Sequence, residues 1–195
     1  MVSTDLIKEL RDATGVSVMQ VKKALEEAGG DKEKAIVILK KKGAEAAAKK
    51  GDRTLGAGVI QSYIHSNGTV GTLVELACET DFVAKTPEFK QLAYDIAMHV
   101  AAARPEFLKK EDITESDRKV AESVFEKEVE GKPAEIKSKI LEGKLAAYFS
   151  ERVLLEQPFI KNPDLTIAGL ISEAVQKFGE KTELVRFVRY SVLEK

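Results

Sequence analysis

Between Leu6 and Leu39 apolar side chains recur every three or four positions, and from Val59 onward they alternate. A period near 3.6 buries one stripe of a helix and a period of two buries one face of a strand, so the switch predicts an α+β chain with a helical module ahead of a sheet. Ser3 or Thr4 can cap a helix bearing Leu6, Ile7 and Leu10, which Thr14-Gly15 stops. Ser17 starts a second helix with Val18, Val21, Ala24, Leu25 and Ala28 at helical spacing, Gly29-Gly30 breaks it, and Asp31 caps a third bearing Ala35, Ile36 and Leu39. Caps of this kind accept the N–H groups a first turn leaves unpaired, so the pattern reads as a small three-helix bundle. After Gly43 an Ala- and Lys-rich stretch, Ala44 to Lys50, leads to Gly51, Gly56 and Gly58. It reads as a helical linker running into a flexible joint, with a boundary near Asp52 that divides the chain into residues 1–52 and 53–195.

Beyond the boundary Val59, Gln61, Tyr63 and His65 point one way and Ile60, Ser62 and Ile64 the other; a second β run spans Val70 to Cys78. Ser66-Asn67-Gly68 lies between them, and Asn-Gly predicts a hairpin because both residues accept positive φ. A helix is expected from Pro87 to Ala103, with Phe89, Leu92, Ala93, Ile96 and Val100 on one stripe and Pro105 past its end. Two more follow, over Glu115 to Glu130 and Pro133 to Arg152 with Gly131 between them, and another over Thr166 to Phe178. In the last run, Glu183 to Leu193, Leu184, Arg186, Val188 and Tyr190 alternate with Val185, Phe187, Arg189 and Ser191. It is expected to join the hairpin as a third antiparallel strand, packed by helices on one face. The other face would present β-branched and aromatic residues to water, which calls for burial by a second copy of the chain.

The chemistry-bearing residues are sparse. One cysteine, Cys78, leaves no internal disulfide, and no apolar stretch approaches the ~20 residues that span a bilayer. No charged segment with a cleavable apolar run opens the chain, so a cytoplasmic protein is expected. Lys plus Arg is 31 and Asp plus Glu 32, a balance unsuited to life on phosphate backbones. Residues 1–53 hold 12 basic and 9 acidic side chains, a mild excess that favours an acidic protein patch over nucleic acid. His65 and His99 have no Cys, Asp or Glu at metal-ligand spacing, and hydrolase, phosphate-loop and dinucleotide signatures are missing. His99 reads as an ordinary helix residue, Cys78 as a small core residue whose neighbouring carboxylates raise its pKa, and the Glu-rich and Lys-rich stretches as solvated faces. Neither an enzyme nor a cofactor is expected.

Glu79-Thr80-Asp81-Phe82-Val83 stands apart, because it places an aromatic residue where the strand's alternation has ended. Phe82 either tucks under the next helix, with Asp81 or Thr80 as its cap, or projects as a wedge with an acid beside it. Here the chain resembles a known family. Leu10-Arg11, Thr14-Gly15, Ser17-Val18-Met19-Gln20 and Lys22-Lys23-Ala24-Leu25 are similar to the amino-terminal signature of elongation factor Ts. Glu75-Leu76 and Glu79 to Lys85 are similar to its second signature, and the likeness continues through Leu154-Leu155-Glu156-Gln157-Pro158-Phe159 to the terminal strand. The resemblance favours the wedge.

The resemblance implies a ubiquitin-associated-like domain over residues 1–52 and the core domain of a short form without a long coiled-coil insertion. It implies a guanine nucleotide exchange factor that binds elongation factor Tu in its GDP-bound and nucleotide-free states. Lys8, Arg11, Val18, Met19 and Lys22 would dock on the GTPase, with Val18 where a second Met is common. Thr80, Asp81, Phe82 and Val83 would displace its magnesium. It also implies homodimers through the core sheet in some members, in places with a cysteine on the last strand, where this chain has Val188. The residues alone leave two rivals: a helical adaptor for some other protein, and a nucleic-acid binder using the basic linker, whose affinity would fall steeply with salt.

Overall fold

Helix starts in the amino-terminal region follow the capping side chains. The computed structural model describes residues 2–129 and 133–192 and has α1 at Thr4–Thr14, α2 at Val18–Glu27 and α3 at Lys32–Lys49. Ser3 accepts the Asp5 N–H at 3.3 Å, Ser17 the Gln20 N–H at 3.4 Å and Asp31 the Lys34 N–H at 3.0 Å. The last contact is the main reason the Asp31 carboxyl titrates below its ordinary value. Gly15, at φ +68°, closes α1 by donating to the Arg11 carbonyl at 2.7 Å, in the left-handed conformation that glycine enters freely. The helices enclose Leu10, Val16, Val21, Ala24, Leu25, Ala35 and Leu39.

Val18 departs from the expected stripe, being 52% exposed while Val21 is buried. It is the first residue of α2, and the burial falls to Val16 and Val21, which flank the Ser17 cap as the two members of a hydrophobic staple. The Ala- and Lys-rich segment is also more than a linker: α3 runs unbroken through it. There follow β1 (Ala57–Ile64), β2 (Val70–Cys78), the four-residue α4 (Asp81–Ala84), α5 (Pro87–Ala103), α6 (Glu115–Glu126) and α7 (Ala134–Ser150). A short hairpin of β3 (Pro158–Phe159) and β4 (Asn162–Thr166), then α8 (Ile167–Phe178) and β5 (Thr182–Ser191), complete the chain order. The carboxy-terminal half of α3 lies along α8, and Gly43 makes the approach possible: a Cβ there would stand 3.1 Å from Gln176 Oε1 and 3.4 Å from the Ser172 carbonyl.

Among the described residues the eight α-helices accompany a three-stranded antiparallel sheet in the order β1-β2-β5, so the expected α+β class and third strand are present. Its hairpin differs from expectation. Gly68 takes positive φ (+70°) but Asn67 does not; the Asn67 side chain accepts the Thr69 N–H at 3.0 Å instead. His65 N–H donates to the Val70 carbonyl at 2.9 Å and Gly68 N–H to His65 at 2.7 Å, closing a loop longer than a two-residue turn. The last strand also breaks its simple alternation. Leu76 pairs with Leu184 and Glu75 with Arg186, which leaves Val185 as an extra residue in a bulge. Leu184 and Phe187 therefore pack toward the helices, while Arg186, Val188 and Tyr190 turn outward.

The core lies between the sheet and α5. Phe89, Ala93, Ile96 and Val100 share this core with Val74, Leu76 and Leu184, and Ile167 of α8 is buried in it as well. Thr86 accepts the Phe89 N–H at 3.3 Å with Pro87 in the first turn, so α5 begins where the sequence predicts. Thr72, buried in β2, donates its hydroxyl to the Ala97 carbonyl at 2.8 Å. The opposite face of the sheet exposes Ile60, Ile64, Leu73 and Tyr190. Helices α6 and α7 form a separate cluster around Ala121, Leu145 and Phe149. The expected helix end at Glu130, the break at Gly131 and the strand end at Leu193 lie outside the described residues.

Candidate functional site

The β2–β5 ladder ends at the Cys78–Thr182 pair, and beyond it two carboxylates replace backbone carbonyls as acceptors. Glu79 accepts the Lys181 N–H at 2.5 Å, and Glu180 accepts the Thr80 N–H at 3.0 Å and the Thr80 hydroxyl at 2.6 Å. Each strand's continuation is thus held by a side chain from the other. Glu79 also pairs with Arg53 at 3.1 Å; the Lys181 N–H first, then Arg53, keep its carboxyl below the ordinary range. Cys78 is buried and its thiol points at the Thr80 carbonyl, 3.2 Å away. Burial is the main cause of its raised pKa, with Glu180 second, and the adjacent Glu79 adds least.

What this clamp presents is α4. Val83 and Ala84 are buried against the core, and that anchors the turn from below. Phe82 is 82% exposed, so the reading in which it tucks under α5 is not the one the chain adopts. Burying it would remove apolar surface worth about 1.5–3 kcal/mol from water. Asp81 is exposed and pairs with Lys85 at 2.5 Å, one helical turn on, and the Lys85 contact lowers its pKa. Thr80 occupies the cap position but does not cap, because its hydroxyl is committed to Glu180. Of the four residues expected here, Asp81 and Phe82 project, Thr80 holds the loop and Val83 roots it.

The second predicted group sits on the bundle. Lys8 and Arg11 are exposed three residues apart on α1, and Val18, Met19 and Lys22 are exposed over the first turns of α2, with Met19 at 63%. Lys22 pairs with Glu26 at 3.8 Å and Arg11 with Asp12 at 3.3 Å, both in solvent where such pairs contribute little. The two groups lie on separate elements. The bundle leans on α8 and the turn that follows it, the turn from which Glu180 holds Thr80: a Cβ on Gly15 would stand 3.0 Å from Lys177 Cδ, Lys50 donates to the Gly179 carbonyl, and Lys181 Nζ reaches the Gly51 carbonyl at 2.7 Å. No sequence signal marked this turn, since Glu180 stands 100 residues from Thr80.

His99, fully buried, bonds Gln157 Oε1 through Nε2 at 3.0 Å, and burial pushes its pKa down. Among the described residues there is no group of three or more His, Cys, Asp or Glu placed to hold a metal ion, and no helix is long and apolar enough to cross a membrane.

The family model described as Elongation factor TS matches residues 9–194. Elongation factor Ts of Carboxydothermus hydrogenoformans is 50% identical over 196 residues, covering 100% of this chain and 90% of the relative. That of Thermosipho melanesiensis is 47% identical with 100% of both chains covered, and that of Thermotoga petrophila 46% identical with 99% and 97% covered. A match that runs through the bundle, the exposed Asp81-Phe82 turn and the last strand shows that the chain belongs to the elongation factor Ts family.

Proposed function

We propose that this protein is a guanine nucleotide exchange factor that binds elongation factor Tu and speeds the departure of GDP without any covalent step. The observation that carries this reading is Phe82, a large apolar side chain left 82% exposed on a turn that is clamped at Thr80 and rooted by Val83 and Ala84. Seating it in the GTPase would gain apolar burial, and Asp81 beside it would rearrange polar groups around the magnesium ion. Weakening the ion's support weakens its hold on the phosphates, and the nucleotide leaves. By reciprocity the returning nucleotide weakens the factor's hold by the same ratio, so the factor cycles and does not select GDP or GTP.

The exposed Lys8, Arg11, Val18, Met19 and Lys22 would dock the bundle on the same GTPase, two apolar side chains flanked by three cations that suit an acidic partner patch. In this reading residues 1–52 are a ubiquitin-associated-like docking domain, residues 53–195 the core that carries the wedge, and the protein works in the cytoplasm. The apolar outer sheet face, with Ile60, Ile64, Leu73 and Tyr190, supports a homodimer held by packing alone, since Val188 stands where a cysteine would be needed for a bridge. The test is release of a fluorescent GDP analogue from elongation factor Tu. The chain at micromolar concentration is expected to accelerate it many-fold; release at the rate seen in buffer would refute the proposal.

A further inference from the structure

The geometry points to Glu180 as a positioning residue for exchange, a carboxylate that fixes the angle at which the wedge leaves the sheet. The inference rests on the exchange reading of Phe82. Glu180 follows Gly179, whose left-handed conformation (φ +73°) ends α8, so its backbone is set by a helix terminus and by the first pair of β5. Its two oxygens divide the work: Oε2 takes the Thr80 N–H at 3.0 Å and Oε1 the Thr80 hydroxyl at 2.6 Å. A two-point, charge-assisted contact fixes orientation as well as distance, which one bond cannot.

Among the described residues the other contacts of Thr80 are weaker: its carbonyl accepts the Ala84 N–H at 3.3 Å and the Cys78 thiol at 3.2 Å. Thr80 lies past the last β2–β5 pair, and its hydroxyl makes no cap bond to α4. Two residues later Phe82 emerges. A small rotation at Thr80 would therefore swing the phenyl ring by ångströms, and positional errors of about 1 Å are costly wherever binding must fit a preformed site. The same turn holds Lys50 and Gly51 through Gly179 and Lys181, so the wedge and the tether of the bundle share one fixed frame.

Full-length Glu180→Ala and Glu180→Gln chains, each alone and with Phe82→Ala, are compared in stimulated release of labelled GDP, and the Thr80 amide is followed by hydrogen exchange in the free protein. Glu180→Ala is expected to lower release about three- to tenfold, the range of a single net hydrogen bond because the contact is solvent-exposed, and to speed Thr80 amide exchange. Glu180→Gln, which can still accept the N–H and donate to the hydroxyl oxygen, should recover at least half of the loss. In the Phe82→Ala background the Glu180→Ala effect should shrink below about twofold, because a positioning residue has nothing left to position. Should Glu180→Ala fail to fold, Thr80→Val removes the hydroxyl half of the contact and should cost about two- to threefold. A folded Glu180→Ala chain with full activity, or one whose loss persists undiminished beside Phe82→Ala, overturns the inference while leaving the exchange reading intact. A wild-type chain that gives no stimulation, or a Phe82→Ala chain with none of the expected loss, overturns both.

Discussion

His99 makes a sharp prediction about stability and pH. Gln157 Nε2 donates to the Ala103 carbonyl at 3.3 Å and the Glu151 carbonyl at 2.6 Å, which orients the amide and leaves Oε1 as the acceptor facing His99. His99 Nε2 must then carry the proton, and Nδ1, with its lone pair, accepts the Ile160 N–H over a long 3.4 Å. Protonating Nδ1 would set two donors against each other in a fully buried position, so the folded protein holds the neutral ring and burial lowers its pKa. The unfolded chain keeps a histidine pKa near 6.5. Between the two values the unfolded state binds a proton that the folded state refuses, so the contribution is complete above about pH 6.5 and is lost as pH falls toward the folded value. One such proton tilts stability by at most about 1.4 kcal/mol per pH unit. Urea unfolding followed from pH 7.5 to pH 5.0 measures the slope. His99→Phe should be less stable at pH 7.5 by about 1–3 kcal/mol, because Gln157 Oε1 and the Ile160 N–H lose their partner, and should show a shallower acid slope than wild type. Equal slopes in the two proteins would refute the argument, since the difference between them isolates this ring from the carboxylates.

Two glycines and one surface residue test other parts of the account. Gly43→Leu should destabilise by about 1–3 kcal/mol despite a better helix propensity, because its side chain meets the Ser172 carbonyl and Gln176; thermal unfolding reads the loss. Gly143→Ala, in the middle of α7 with nothing within 4 Å of the new Cβ, should instead stabilise by about 0.5–1 kcal/mol, and no gain in melting temperature would count against the helix geometry there. Tyr190→Lys places a charge on the apolar outer sheet face; sedimentation should change from a dimer to a monomer with the fold intact, and an unaltered sedimentation coefficient would remove the sheet-face dimer.

How far the sequence disclosed this depends on how local each determinant is. Ser3, Ser17, Asp31 and Thr86 bond to N–H groups two or three residues away, so the helix starts were legible. The bulge at Val185 was not, because it depends on how β5 slides against Glu75 and Leu76 of a strand more than 100 residues earlier, and alternation within β5 carries no trace of it. Asn67 kept negative φ for a similar reason: its side chain found Thr69, which Asn-Gly as a dipeptide does not reveal. At the candidate site the sequence supplied the residue types of Asp81 and Phe82 but left two orientations open. Val83 and Ala84 decide between them by taking the buried side of α4, while Glu180 and Lys181 fix the approach from the far end of the chain.

The most direct test compares wild type with Phe82→Ala at concentrations that saturate elongation factor Tu, reading the rate at which a fluorescent GDP analogue is released. Phe82 is exposed in the free protein, so the variant should unfold at the wild-type temperature. Loss of about 1.5–3 kcal/mol of burial predicts release slower by about 10- to 150-fold. A folded Phe82→Ala chain that releases nucleotide as fast as wild type would contradict the account at its centre.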